Sequence, residues 1–163
     1  MSLWFFIALQ LMFMGYAVIG GVFIAFSDFI MRSLTLSSQG SVTMQVINRE
    51  VFHWIFMALF IGLAPLSLAM ALYGLIVVEG PTGTLIAIAG LVYFIGCFGV
   101  TASFNVPMNN ALAALQPGSA DIESYWAATY VPRWTYWNSV RAAACIVAAA
   151  GIAAAMTLSA RVL

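Results

Sequence analysis

The chain is 163 residues long, 64% of them hydrophobic and 6% charged, with a mean hydropathy of +1.06. A water-soluble domain carries about 25% charged residues because its surface must be hydrated; here the surface must face lipid, and the length allows a single transmembrane domain over 1–163. Five arginines balance five acids and there is no lysine, which excludes a basic stripe for nucleic acid and a polybasic grip on anionic headgroups.

Four apolar runs are each long enough to cross a bilayer, which takes about 20 residues: roughly Leu3 to Phe29, Val51 to Val78, Gly83 to Val106, and Trp137 to Leu158. The first is too long for the apolar segment of a signal peptide and has no basic residue ahead of it, so it is expected to stay attached as a membrane helix. The connections are SLTLSSQGSVTMQVINRE, then EGPT, then a longer run containing QPGSADIES. The expected fold is therefore all-α, an integral membrane four-helix antiparallel bundle. Both long connections emerge on one side, the loop face; the tight EGPT turn and the two termini share the other, the terminal face.

Small residues at helical spacing mark the expected helix contacts, because lipid supplies no hydrophobic drive and backbones must approach closely. The third span offers Gly96, Gly99 and Ser103, and the fourth Ala144, Ala148, Gly151 and Ala155. Pro65 removes a backbone donor from the second span and is expected to bend it. Cys97 and Cys145 lie at similar depths in the third and fourth spans; a disulfide is geometrically possible, and a pair of buried thiols is the simpler reading. In the last connection Pro117-Gly118 predicts a turn, Ser119 an N-cap, and Asp121 a charge favoured by the helix dipole. A short interfacial helix near Ala120 to Tyr130 follows. The aromatics Tyr125, Trp126, Tyr130, Trp134, Tyr136 and Trp137 fit either a headgroup belt or a ligand-stacking wall.

Polar residues are distributed unevenly. Asn48, Asn105, Asn109, Asn110, Asn138, the lone His53, four of the five arginines and four of the five acids fall at or near the loop face. Glu79 and Arg161 belong to the other. Trp134, Trp137, Asn138 and Arg141 recur at i, i+3, i+4 and i+7 and should line one stripe of the fourth span, with Arg141 about a turn inside it. Asn105 and Asn109 share a face of the third span, and Asp28 with Arg32 and Arg49 with His53 are i, i+4 pairs. Asp28 and Arg32 suit a structural ion pair or a catalytic dyad; Arg141 could snorkel to the headgroups or act within the span; His53 could be structural or a base. There is no His pair at helical spacing, no Glu-x-x-His and no Cys-x-x-Cys, so no metal site of the usual ligand types is expected. One histidine excludes bis-histidine haem. Gly20-Gly21 lies in an apolar span and reads as packing, not as a phosphate loop, and no repeats or broken-helix pairs indicate a transporter.

The segments GGVFIAFSDFIMRSL, MQVINREVF, FGVTASFNVPMNNALAAL and YVPRWTYWNSVRAAACIVAAA resemble the anthrone oxygenase-like family of small, mostly bacterial four-helix membrane proteins. FNVPMNN and RWTYWNSVR are the most specific stretches, and the resemblance covers nearly the whole chain. It implies an oxygenase that converts an anthrone to an anthraquinone with molecular oxygen and no metal, flavin or other cofactor. It also implies residence in a bacterial inner membrane. The family's polar positions carried onto this sequence are Asn48, Arg49, Asn105, Asn109, Trp134, Trp137, Asn138 and Arg141; His53 fits the pattern less clearly. Dioxygen reacts slowly with organic molecules unless they are electron-rich, so such an enzyme needs a base and an anion holder. His53 or Asp28 is the candidate base, Arg141 and Arg49 with the asparagine amides the anion holders, and Trp134 and Trp137 the stacking surface for a flat substrate. The other class is a non-catalytic accessory subunit of a larger membrane complex or homo-oligomer, or a lipid or quinone carrier. A cavity lined by these residues favours an enzyme or carrier; closure by Asn–Arg hydrogen bonds favours a structural subunit. Counting Arg32, Arg49, Arg133 and Arg141 against Arg161 places the loop face in the cytoplasm.

Overall fold

The computed structural model describes residues 2–53 and 55–160, and these are helical with no strand. Five helices account for them: α1 (Leu3–Thr35), α2 (Gly40–Glu50), α3 (Ile55–Ile76), α4 (Gly80–Ala113) and α5 (Ala120–Ser159). A 3₁₀ turn, Val51–His53, leads into α3. Four of the five are long and apolar enough to cross a membrane, so the chain is a multi-pass integral membrane protein. Arg161, the single arginine assigned to the terminal face, lies outside the described residues.

The contacts give each helix antiparallel neighbours. Gly20 of α1 abuts Cys145 of α5 while Phe23 meets Asn138; Gly74 of α3 packs on Ala87 of α4 while Gly90 packs on Ser67; Gly151 of α5 sits on Ala89 of α4 while Gly96 meets Ala144. Of the small residues expected at contacts, Gly96, Ala144 and Gly151 make them, whereas Gly99 meets no other helix and Ser103 is exposed; the Gly74 and Gly90 contacts were not expected. A Cβ on Gly20 would stand 2.9 Å from that of Cys145, and one on Gly90 would run into the Ser67 carbonyl. The turns are also as read: Gly80 and Gly118 have φ of +72° and +76°, a conformation that costs glycine little, and Ser119 accepts from the Ile122 amide as an N-cap. The α3 helix runs unbroken through Pro65, which is exposed.

Helix lengths divide the molecule into two layers. At 1.5 Å per residue the 22 residues of α3 span about 33 Å, matching a bilayer core of about 30 Å, whereas the 40 residues of α5 span about 60 Å. Phe23 packs on Phe56, near the start of α3, so α1 beyond residue 26, the last third of α4 and the first third of α5 project past α3 on the loop face. There they build a second core with α2, from Met31, Leu34, Met44, Leu112, Ile122, Trp126, Tyr130 and Trp134. The helix expected at Ala120 to Tyr130 is present, but it is not a separate element. A π-helical turn, Trp126–Tyr130, carries it directly into the fourth span. The first long connection, read from sequence only as polar, holds the 11-residue α2.

Candidate functional site

Where the two layers meet, α1, α2, α3, α4 and α5 line a half-open cavity of about 420 Å³, a volume within the range of small-molecule sites. Its walls are mostly apolar: Val22, Phe23 and Phe26 from α1, Met44 and Ile47 from α2, Phe56, Met57 and Phe60 from α3. Four polar side chains foreseen from sequence or resemblance reach it or its edge: Asn48, Asn109, Trp134 and Arg141.

Arg141 is the most constrained of them. It is 5% exposed, and among the described residues no carboxylate pairs with it. One guanidinium nitrogen, Nη2, donates to Asn138 Oδ1 at 2.7 Å, and Nη1 donates to Thr101 Oγ1 at 3.3 Å. Nε has no partner. The Phe23 ring lies 4.1 Å from the guanidinium carbon and the Trp134 ring 5.2 Å, so two aromatic faces partly offset the lost hydration of the cation. An arginine within a membrane helix costs about 3 kcal/mol even by the mildest scale, and a buried donor left unpaired costs about 1–3 kcal/mol more. Two neutral acceptors and two rings make an incomplete shell for a cation on the cavity lining.

A hydrogen-bonded relay fixes the wall beside it. Trp134 Nε1 and the Tyr130 hydroxyl both donate to Asn109 Oδ1 at 2.8 Å, and Asn48 Nδ2 donates to the same hydroxyl at 3.1 Å. Helices α2, α4 and α5 are thereby joined by side chains at the edge of the cavity. Trp126, Tyr130 and Trp134 stack in sequence, with centroids 5.3 and 5.9 Å apart. The aromatic segment thus divides: these three are buried, and Tyr136, 62% exposed, suits a headgroup belt.

Other candidates are placed differently. Asn105 and Asn138 are wholly buried ties: Asn105 Nδ2 donates to the Trp134 carbonyl, and Asn138 Nδ2 donates to the Phe23 carbonyl and Ser27 Oγ. Trp137 stacks on Phe104 at 3.7 Å and contributes nothing to the cavity wall. Arg49 is exposed and bonds Glu50. Asp28 and Arg32 are both exposed and do not pair with each other; the π-helical turn Phe26–Ile30 between them shifts the register that i, i+4 spacing assumes. His53 is exposed, with Nδ1 3.8 Å from Glu50 Oε2, and it does not line the cavity. Thr101 and Glu50 were not singled out from sequence, and Tyr130 only as one of the six clustered aromatics. The i, i+3 spacing of Met44 and Ile47, continued by Val51, was the available sign that α2 presents an apolar face.

Cys97 and Cys145 are free thiols, Sγ to Sγ 3.3 Å, wholly buried one turn from Thr101 and Arg141. Beyond them Tyr16 and Tyr93 stack, and the Tyr16 hydroxyl bonds Ser67 Oγ at 2.7 Å.

The class is thus a small multi-pass helical membrane protein whose mostly apolar chamber is bordered by an arginine that pairs with no carboxylate among the described residues. The family model described as anthrone oxygenase matches residues 49–151, and the chain belongs to that family. No curated protein and no solved structure matches the chain.

Proposed function

We propose that the protein is a cofactor-independent oxygenase of a bacterial inner membrane, acting on a flat, hydrophobic, enolisable aromatic ketone drawn from the bilayer. The observation that carries this reading is the buried Arg141, which pairs with no carboxylate among the described residues, on a chamber whose wall is mostly apolar. Such a site favours a ligand that is apolar over most of its surface and develops one negative charge. An anthrone meets both conditions. Loss of a proton from its methylene carbon puts the charge on the ring oxygen, where guanidinium donors would stabilise it, while Trp134 and the phenylalanines hold the rings. The electron-rich anion then reacts with dioxygen. Overall, anthrone and O₂ give anthraquinone and water: two C–H bonds break, one oxygen atom enters the ring and the other leaves as water.

Purified protein in lipid nanodiscs is expected to consume one O₂ per anthraquinone formed, and Arg141→Met to lose turnover by about 100-fold. Tight binding of anthraquinone or another quinone with no turnover by the wild type would make the protein a carrier. Neither binding nor turnover would leave it a structural subunit.

A further inference from the structure

The oxygenase reading requires a proton acceptor, and the acids and bases first considered for that role do not border the chamber. Among the described lining residues the carboxylate is Glu50, at the C-terminal end of α2. Its side chain is 50% exposed, so it meets both the chamber and the aqueous edge. Oε1 accepts from Arg49 Nε at 3.3 Å and Oε2 faces His53 Nδ1 at 3.8 Å; the imidazole is itself 64% exposed. A base in a lipid-enclosed site must return its proton to water on every turnover, and this arrangement provides that route. In an anthrone the acidic methylene stands across the central ring from the carbonyl, so an oxygen held by buried Arg141 turns the methylene away from the arginine, and its base must be another lining residue, as Glu50 is.

We propose that Glu50 takes the methylene proton and that His53 passes it to water. The C–H bond breaks, an O–H bond forms on Glu50, and the electron pair moves to the oxygen beside Arg141. His53, 3.8 Å away, then accepts the proton from Glu50 through an intervening water and releases it to solvent, restoring the carboxylate. Glu50 is the catalytic residue; His53 acts through it.

This assignment rests on the oxygenase reading, and proton abstraction can be measured apart from oxygenation. Under anaerobic conditions in D₂O, the wild type is expected to catalyse deuterium exchange into the methylene of anthrone. Glu50→Gln is expected to slow the exchange by about 100-fold while still binding anthraquinone, which carries no such proton, as the wild type does. Glu50→Asp should recover part of the rate. His53→Gln should lose less than Glu50→Gln and be rescued by imidazole in the buffer. Exchange retained by Glu50→Gln overturns the assignment and leaves the oxygenase reading standing. Loss of anthraquinone binding together with exchange in that variant also overturns it, because Glu50 is then only part of the wall. Absence of exchange in the wild type overturns both.

Discussion

The terminal-face and loop-face halves of this molecule are built by different rules. Toward the terminal face the helices are regular and meet at glycine and alanine: Gly20 on Cys145, Gly74 on Ala87, Gly151 on Ala89. Toward the loop face every long helix except α3 carries a π-helical turn, at Phe26–Ile30, Phe94–Gly99 with Thr101–Asn105, and Trp126–Tyr130, and the contacts are made by large rings and side-chain hydrogen bonds. Close backbone packing draws the helices together; the π turns, which recur at functional sites, and the bulky side chains leave a chamber between them. The first half holds the helices together, and the second spends stability on a polar site.

Substitutions should separate the two halves. The largest expected effect is Arg141→Met: activity falls by about 100-fold, whereas the unfolding temperature changes little, because removal of a buried cation with an unpaired Nε is offset by the loss of the donor to Asn138 Oδ1. Thermal unfolding alongside turnover measures both. Next is Gly90→Leu, which forces a side chain into the Ser67 backbone; overpacking of this kind costs about 1–3 kcal/mol and should lower unfolding temperature and yield. Gly21→Leu, where nothing stands within 4 Å, is its silent control. Tyr130→Phe removes the hydroxyl shared by Asn48 and Asn109. It should destabilise by about 1–3 kcal/mol and loosen ligand binding without abolishing turnover. Met57→Trp should fill the chamber, weakening ligand binding in a titration while leaving the unfolding temperature nearly unchanged. The smallest effect is expected from Trp137→Leu, whose stacking on Phe104 contributes about 1 kcal/mol; unimpaired turnover would agree with its place outside the cavity wall.

What the sequence made legible follows the same division. The Ala144–Ala148–Gly151–Ala155 seam and the Trp134–Asn138–Arg141 stripe could be read because α5 is a regular helix from Val131 onward, where spacing converts directly to direction. Trp137, at the margin of that stripe, turns instead to the flank where Phe104 waits. Asp28 and Arg32 were misaligned by a π turn, which leaves no mark in hydropathy. The α2 helix was hidden for another reason. Next to runs of 20 apolar residues its amphipathic pattern looks merely polar, yet it supplies Met44, Ile47, Asn48 and Glu50 to the site. Asn105 and Asn138 were read as ligand-binding candidates and donate to backbone carbonyls in the structure; sequence could not separate a side chain that serves a ligand from one that satisfies a neighbouring backbone carbonyl. Exposed Arg32, Arg49 and Arg133 still lie on the loop face, whereas Arg141, enclosed in the site, no longer counts toward orientation.

The central claim is that Arg141 holds a ligand as its anion, and ionisation of a bound chromophore tests it most directly. A hydroxyanthrone whose absorption moves to longer wavelength on losing a proton is added anaerobically, at a pH where it is neutral in solution. The wild type is expected to give the spectrum of the anion and Arg141→Met that of the neutral form. A neutral spectrum in the bound wild type, or an anionic one that survives in Arg141→Met, would contradict the account.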